Sequence, residues 1–444
     1  MAEKKGFAVR HKEPKLLVPA KPTPHEIKQL SDIDDQKGLR MHFHMIMFYR
    51  ANPLIGKDPV EVIRDALAEA LVWYYPLAGR LVEGPEDKFM VDCSGEGILF
   101  VEADSNFSLE DLGDAIKPPC LYYKELLYRA PGSDEMLGCP LMLVQVTRLI
   151  CGGFVVAIRI NHVLSDGLGL AQFVKAVEEL ARGAPSPSTK PLWGRETLTA
   201  KHLPLQTTYD HPEYNVVCHK NDKTMDDNNL VAKAFFFGPK EIKNSQFDLI
   251  TACIWRARTR ALDLNGDQTT SVVCTINVRD KGPPELRDGY YGNAVVFPAA
   301  VTEARRLYDN PLDYAVKLIE EAKGRANEDY IRSMVNFMAS KGRPPILRSI
   351  SSFIVTDLSR LGFSEMDFGW GKPVYGGTME GERSATIIAH ALYRNSDGED
   401  GIVVPVFLPP PAMKRFEEEM KKLIAFMPSE VIDRPSKSLF KSTL

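Results

Sequence analysis

A chain of 444 residues is too long for one ordinary hydrophobic core, so its length predicts two domains. The net charge of −4 and the isoelectric point of about 6.2 argue against a nucleic acid or an anionic membrane surface as a partner. The seven cysteines are widely spaced and contain no C-x-x-C pair, which argues against a disulfide framework or a zinc site and favours reduced thiols in the cytoplasm.

From the N-terminal composition and the hydropathy pattern we expect neither a secretory signal nor a membrane span. Residues 1–15 are charged and contain no apolar segment, so they do not resemble a secretory signal. No run approaches the roughly 18 apolar residues of a membrane span. We therefore expect a cytoplasmic protein without a membrane partner. With no additional interface pattern in the sequence, we expect a monomer.

The first half of the chain predicts both strands and helices. The segment MHFHMIMFY reads as a buried strand in which His42 and His44 share one face. Polar positions on one side of a strand are the simpler interpretation, and a metal site is the alternative. A helix begins at Pro59, which suits proline at the first helical position. Residues 140–150 and 154–160 predict two strands joined by a Cys-Gly-Gly turn, which is typical of a hairpin.

The second of these strands leads into the segment on which the functional argument depends. From Phe154 the apolar run FVVAIRI enters a polar turn with His162 and Asp166, then leaves through Gly167 and Gly169 into an amphipathic helix. A neutral imidazole, with a reference pKa of about 6.5, can accept a proton near neutral pH. An alcohol that attacks a thioester needs such a base. Alone, H-x-x-x-D is a weak signal, and a purely structural histidine stays an open alternative.

Other catalytic patterns do not occur in the sequence. It contains no G-x-S-x-G nucleophile elbow, no H-E-x-x-H zinc motif and no G-x-G-x-x-G after a strand. VAIR and DFG resemble kinase motifs, but no glycine-rich loop precedes the first and no H-R-D precedes the second. The segment DFGWG alone is typical of a tight aromatic turn, in which Asp367 is a capping or salt-bridged carboxylate.

The composition changes between residues 182 and 228, which are rich in proline and polar residues and have no periodicity. We therefore predict a first domain over residues 1–182, a crossover linker over 183–228 and a second domain over 229–444. The second half predicts helices over 247–262, 311–341 and 411–427 and strands over 269–280, 352–359 and 402–409. The irregular alternation predicts an α/β protein with mixed sheets and not a regular doubly wound one.

Taken together, HVLSDG at 162–167 and DFGWG at 367–371 form a much more specific pattern than either does alone. With YYPLAGRL, QVTRL, TACIWRART, NVR and GYYGN, they resemble the plant BAHD acyl-CoA-dependent acyltransferases over nearly the whole chain. The segments LSDIDDQKGLR and SDGEDGIVVPV are similar to the alcohol acyltransferase branch that contains benzyl alcohol O-benzoyltransferases.

The resemblance implies two chloramphenicol-acetyltransferase-like domains with mixed sheets, joined by a long crossover, and an active-site channel at the domain interface. Acyl-CoA would enter from one face and a small alcohol acceptor from the other, with His162 midway. His162 would deprotonate the acceptor hydroxyl, which attacks the thioester carbonyl. No acyl-enzyme, metal or permanently bound cofactor is implied, because acyl-CoA is a co-substrate.

The resemblance also implies which residues organise the site. Asp166 is expected to point away from the channel and to pair with an arginine. Asp367 and Arg279 are expected to form a structural ion pair, although a proton-accepting role for Asp367 is an alternative. The other residues expected to organise the site are Gly167, Gly369, Trp370 and Gly371.

One departure from the family pattern concerns the oxyanion. In some members a Thr-Ser-Trp before DFGWG supplies the threonine hydroxyl and the indole N–H, whereas this chain has Thr356-Asp357-Leu358. Thr356, a backbone N–H or water must then stabilise the oxyanion. Lys243 and Ser245 align with the segment of the family that binds coenzyme A.

The sequence therefore supports an acyl-CoA:alcohol O-acyltransferase that uses a benzoyl, other aromatic or acetyl donor. An N-acyltransferase that acts on an amine is a variant of this hypothesis. A protein of the same fold that binds acyl-CoA or a small molecule without turnover is the alternative from a different class.

Overall fold

The computed structural model describes residues 6–131, 135–201, 205–215, 229–239, 246–346, 349–379 and 386–425. Its strands are β1 (Val9–His11), β2 (Lys15–Leu17), β3 (Ile27–Gln29), β4 (His42–Tyr49), β5 (Arg80–Glu83), β6 (Phe89–Asp92), β7 (Ile98–Ser105), β8 (Met142–Arg148), β9 (Phe154–Asn161), β10 (Val231–Phe237), β11 (Thr269–Cys274), β12 (Ile276–Asn277), β13 (Val295–Val296), β14 (Ala299–Glu303), β15 (Ser352–Asp357), β16 (Tyr375–Thr378), β17 (Ile387–Arg394) and β18 (Asp400–Leu408). Its helices are α1 (Pro59–Trp73), α2 (Leu109–Leu112), α3 (Tyr123–Leu126), α4 (Gly167–Ala181), α5 (Pro212–Asn215), α6 (Gln246–Ala261), α7 (Ala304–Asp309), α8 (Leu312–Gly324), α9 (Glu328–Lys341) and α10 (Pro410–Ala425).

The first half of the chain builds a mixed sheet in the order β1-β7-β8-β9-β4-β16, and β2 also pairs with β7. The hairpin predicted around the Cys-Gly-Gly turn is present, because β8 and β9 pair antiparallel. Strand β7 runs parallel to β8, and the other pairs of the sheet are antiparallel. Helices α1 and α4 pack together over this sheet, so their apolar faces share one core with β4, β8 and β9.

The second half builds another mixed sheet, in the order β10-β18-β17-β15-β11-β14. Strand β15 runs parallel to β11 and to β17, and the remaining pairs are antiparallel. Helices α6, α8 and α10 contribute Trp255, Ile319 and Phe416 to the core beneath this sheet. Two small sheets, β3-β6-β5 and β12-β13, lie outside the two large ones. The mixed α/β architecture predicted from the sequence is thus present.

Strand β16 crosses between the halves, because it belongs to the second half of the chain but pairs with β4 of the first sheet. The DFGWG turn lies shortly before β16 in the chain and packs on the same sheet. Trp370 lies against Phe154, with ring centroids 5.3 Å apart at 76°, and Phe368 lies 5.6 Å from Tyr49. The Tyr49 hydroxyl donates to the Met366 carbonyl at 3.0 Å. The turn therefore holds the second half of the chain against the first.

The division at residues 182 and 228 stays a prediction. Residues 216–228 of the proposed linker lie outside the described residues. Because β16 belongs to the second half of the sequence but pairs with the first sheet, the two large sheets do not correspond fully to the two halves of the sequence.

We expect Trp370→Ala to lower the free energy of unfolding by about 3–5 kcal/mol, because it leaves a cavity between the DFGWG turn and the first sheet. Urea unfolding followed by circular dichroism measures this loss. Trp73→Ala is the matched control, because Trp73 lies at the end of α1 and is 38% exposed. Equal losses of unfolding free energy for the two variants would contradict the conclusion that the turn holds the second half of the chain against the first.

Candidate active site

His162 stands where β9 ends and a single 3-10 turn begins. Asn161 caps this turn through a hydrogen bond from the Val163 N–H to its side-chain oxygen. The backbone N–H of His162 donates to the Met41 carbonyl at 2.8 Å. The imidazole is partly buried and lies 4.6 Å from the ring of Phe43. Because the neighbouring strands fix the backbone here, the position of the imidazole is set by the first sheet.

The side chain of Asn293 determines which ring nitrogen of His162 carries the proton. The amide nitrogen of Asn293 donates to the His162 carbonyl at 2.8 Å and to Oδ1 of Asp34 at 2.9 Å. Both partners only accept hydrogen bonds, so the amide oxygen must face Nδ1 of His162, 3.1 Å away. Nδ1 therefore donates, and Nε2 is left with a lone pair that can accept a proton.

The surroundings of His162 keep the imidazole neutral. Burial lowers the pKa of His162 below its ordinary value. Asp166 and Asp34 act in the opposite direction on this pKa but do not overcome the effect of burial. The arrangement thus gives an uncharged imidazole near neutral pH, which is the form that a general base requires.

Asp166 forms a two-pronged ion pair with Arg279, at 2.8 and 2.9 Å, and both side chains are largely buried. The same carboxylate caps α4 through the Gly169 N–H at 2.9 Å and accepts from the Ala294 N–H at 3.0 Å. Burial alone would raise the pKa of Asp166, but Arg279 and these N–H groups outweigh it and hold the pKa below its ordinary value. The expected pairing of Asp166 with an arginine is confirmed.

The expected ion pair between Asp367 and Arg279 is wrong, because Asp166 takes the guanidinium. Asp367 instead accepts from the N–H groups of Gly369 and Gly371, both at 2.8 Å. These two glycines have φ angles of 111° and 94°, which a side chain would strain. Asp367 therefore closes its own turn. Gly369 and Gly371 give this turn the backbone shape with which Trp370 packs on the first sheet.

The DFGWG turn lies far from the imidazole. Its two rings contact Tyr49 and Phe154. Phe154 is the first residue of β9, whereas His162 follows the last residue of that strand. A strand rises about 3.3 Å per residue, so Phe154 and His162 are roughly 25 Å apart. Direct proton exchange between Asp367 and His162 is incompatible with this separation.

The glycines after Asp166 allow two segments to approach closely. A Cβ atom on Gly169 would lie 2.0 Å from the Tyr291 carbonyl oxygen. Beside it, the Ser165 hydroxyl donates to that carbonyl at 2.8 Å. Gly167 faces Leu361, whose Cδ1 would lie 2.7 Å from an added Cβ. The two glycines of the G-L-G pattern therefore allow the N-terminus of α4 to contact the second half of the chain closely.

The remaining candidates are less constrained. Thr356 lies near the end of β15 and is partly buried, as is Leu358, which stands where some family members have tryptophan. The structure thus leaves the role of Thr356 a prediction. Lys243 and Ser245 lie outside the described residues. Across the described part of the chain, no three His, Cys, Asp or Glu side chains form a potential metal site.

Sequence reasoning missed Asn293 and Asp34 as site residues, although both lie in segments that carry the family resemblance. Nothing in GYYGN or LSDIDD shows which member faces His162, because Asn293 is 131 residues from His162 and 259 from Asp34 along the chain. Both side chains are fully buried. Asp34 lies in a turn and Asn293 in a loop, where such polar residues are ordinary, so the sequence carries no signal that sets them apart.

A cavity of about 780 Å³ opens elsewhere, between the crossover segment and α9. Neither His162 nor any residue of HVLSDG or DFGWG lines it. It is therefore not part of this site. Among the described residues, no helix combines the length and the apolar character that crossing a membrane requires.

The site is thus a neutral imidazole that contacts both halves of a two-sheet α/β protein. The family model described as "Transferase family" matches residues 7–423. The chain therefore belongs to this family, the BAHD acyltransferases that its motifs resemble.

Curated relatives support the same assignment. The chain is 47% identical to benzyl alcohol O-benzoyltransferase of Petunia hybrida over 434 residues, which cover 94% of each protein. It is 48% identical to alcohol acyltransferase 16 of Actinidia chinensis var. chinensis, over 97% of this chain and 95% of that protein.

Solved structures share the fold. Vinorine synthase superposes with a TM-score of 0.72 at 22% identity, over 94% of this chain and 98% of that chain. The F. graminearum TRI101 structure with ethyl coenzyme A gives a TM-score of 0.71 at 15% identity, over 90% of this chain and 99% of that chain. The two-domain fold expected from the resemblance is confirmed, and a neighbour of this fold binds a coenzyme A derivative.

We expect Asp166→Asn to lower the free energy of unfolding by about 3–5 kcal/mol, because Arg279 is left buried without its carboxylate. Since the pKa of Asp166 is lowered on folding, its contribution is complete above the unfolded pKa of about 3.9 and is lost as the pH falls. Urea unfolding between pH 7 and pH 3 measures both effects.

The stability difference between wild type and Asp166→Asn should shrink toward pH 3. Asp65→Asn is the matched control, because Asp65 is exposed and pairs only with its neighbour Arg64 among the described residues. An Asp166→Asn protein that unfolds like wild type but is inactive would point to direct chemistry by this carboxylate.

Proposed function

We propose that the protein transfers an acyl group from an acyl-CoA thioester to the hydroxyl of a small alcohol, with His162 as the general base. One observation carries the proposal: Asn293 fixes the proton of His162 on Nδ1 and leaves the lone pair of Nε2 available. Acyl-CoA is a co-substrate in this scheme, and no permanently bound cofactor takes part.

The reaction balances without any further reactant. Nε2 of His162 takes the proton of the acceptor hydroxyl as the oxygen attacks the thioester carbonyl carbon. The tetrahedral oxyanion then collapses, the carbon–sulfur bond breaks, and the coenzyme A thiolate leaves with the proton from the imidazolium. The products are an ester and free coenzyme A, and no acyl-enzyme forms.

Stabilisation of the oxyanion is assigned to Thr356 or to backbone N–H groups. The absence of the tryptophan that precedes DFGWG in some members favours these donors over an indole. Coenzyme A binding is assigned to the segment with Lys243 and Ser245. Both assignments rest on the family resemblance.

The names of the relatives favour a benzoyl or other aromatic donor and an alcohol such as benzyl alcohol. The broader name alcohol acyltransferase keeps acetyl and other acyl donors in the proposal. An amine acceptor stays the variant, and binding without turnover the second candidate. A monomeric, cytoplasmic enzyme remains our expectation.

Release of free thiol tests the function. Purified protein is mixed with benzoyl-CoA or acetyl-CoA, with and without benzyl alcohol, and coenzyme A is followed with a thiol reagent while the ester is measured by mass spectrometry. Thiol release that requires the alcohol, with an equal amount of ester, supports the proposal. If a panel of alcohols and amines gives no release with either donor, binding without turnover is the better account.

We expect His162→Ala to reduce transfer about 100- to 10,000-fold, because the substitution removes the base and leaves the backbone contacts of the turn. The thiol assay measures the rate, and circular dichroism measures the fold. His25→Ala is the matched control, since His25 lies at the surface against Asp92. Near wild-type transfer by folded His162→Ala would refute the mechanism.

The lowered pKa of His162 sets the pH dependence. Below this pKa the imidazolium cannot accept a proton, so kcat/KM should rise with pH along one acidic limb and then level off. Because burial lowers the pKa, we expect the midpoint below about 6.5. A midpoint above pH 7 would show that a different group, or a charged His162, controls the rate.

A further inference from the structure

Asp34 lies behind Asn293, on the side away from His162, and is completely buried. Its Oδ1 accepts from both the backbone and the side-chain N–H of Asn293, each at 2.9 Å. Its Oδ2 accepts from the N–H and the hydroxyl of Ser31, at 3.1 and 2.7 Å. Every partner of this carboxylate in the described part of the chain is a donor, so a single orientation of Asn293 is compatible with it.

The countercharge of Asp34 comes from the crossover segment. Nε of Arg195 lies 3.1 Å from Oδ2 of Asp34, and both side chains are buried. The guanidinium stacks on the rings of Trp193, Tyr290 and Tyr291 at 4.3 to 5.1 Å. Its Nη2 donates to the Leu164 carbonyl at 2.8 Å, two residues after His162.

Space for this guanidinium depends on one glycine. A Cβ atom on Gly292 would lie 1.5 Å from Nη1 of Arg195. Gly292 directly precedes Asn293, so the same short segment admits the cation and presents the amide to His162.

We propose that Asp34 is a positioning residue for His162, which orients the Asn293 amide so that Nδ1 of His162 carries the proton and Nε2 faces the acceptor. This inference deepens the proposed function and rests on His162 being the base. Without the carboxylate, only the His162 carbonyl still holds the Asn293 amide in this orientation, so rotation of the amide by 180° costs less. Nδ1 would then face an N–H group, and the lone pair would move away from Nε2.

Charge supports the same conclusion. The charged groups that face His162 are Asp166, which Arg279 neutralises through two short contacts, and Asp34, which has a single contact to Arg195. Both carboxylates raise the pKa of His162, Asp166 more than Asp34, so Asp34 adds to the field that stabilises the imidazolium formed during transfer. Its removal should lower both the rate and the pKa of His162.

The test compares Asp34→Asn with Asp32→Asn, a matched substitution in the same buried acidic segment. Asp32 binds Lys88 and the Ala200 N–H, and none of its hydrogen bonds among the described residues involves Asn293. For Asp34→Asn we expect kcat per folded molecule to fall at least tenfold, KM to change less than threefold, and the acidic limb of kcat/KM to move to lower pH. Asp32→Asn should lose stability but keep kcat within threefold and the limb unchanged.

Identical kinetic behaviour of the two variants would overturn the proposal. If Asp34→Asn does not fold, Asn293→Leu replaces it, since this variant removes the amide and keeps the contacts of Asp34 with Ser31 and Arg195. Asn293→Leu must show the same fall in kcat and the same shift of the acidic limb of kcat/KM. Wild-type kinetics in this variant would overturn the proposal that Asp34 acts on His162 through Asn293.

The pKa of His162 is also measured by proton NMR, with the signal assigned through His162→Ala. This measurement separates the inference from the proposed function. An inactive wild-type protein refutes the function, whereas an unchanged His162 pKa in Asp34→Asn, or in its replacement Asn293→Leu, refutes the positioning role whether or not turnover occurs.

Discussion

The ion pair between Asp166 and Arg279 fixes the two halves of the chain against each other beside His162. Burying two charges is costly, and such a pair is tolerated only when its remaining hydrogen-bonding groups are satisfied. Asp166 meets this condition through the Gly169 and Ala294 N–H groups, and Arg279 through the carbonyls of Tyr290 and Gly292. The pair therefore determines where α4 begins and where the segment with Asn293 lies.

The geometry of the base follows from this constraint. With the backbone around Asn293 fixed, the side chain reaches His162 on one side and Asp34 on the other. An uncharged amide beside the imidazole leaves its pKa low, while the carboxylate beyond the amide still favours the charge that develops during transfer. A carboxylate in direct contact would favour the protonated form more strongly and raise the pKa of the imidazole.

Local patterns predicted those parts of the structure that depend on local sequence. Periodicity located β9, the turn with His162 and α4, and the Cys-Gly-Gly turn located the β8–β9 hairpin. The pairing of charges could not be predicted in this way, and Arg279 was assigned to Asp367 instead of Asp166. Both carboxylates lie far from Arg279 along the chain, so only the packing of the two halves selects between them. The same holds for β16, which pairs with a strand of the other half.

The tautomer of His162 tests the central claim most directly. Protein labelled with ¹⁵N only at histidine gives long-range ¹H–¹⁵N correlations from each imidazole, and His162→Ala assigns the relevant signals. At a pH above the pKa of His162, the account predicts the ¹⁵N shift of a protonated nitrogen at Nδ1 and that of an unprotonated nitrogen at Nε2. A protonated Nε2 would contradict the account, because the nitrogen that must accept the proton from the alcohol would already carry one.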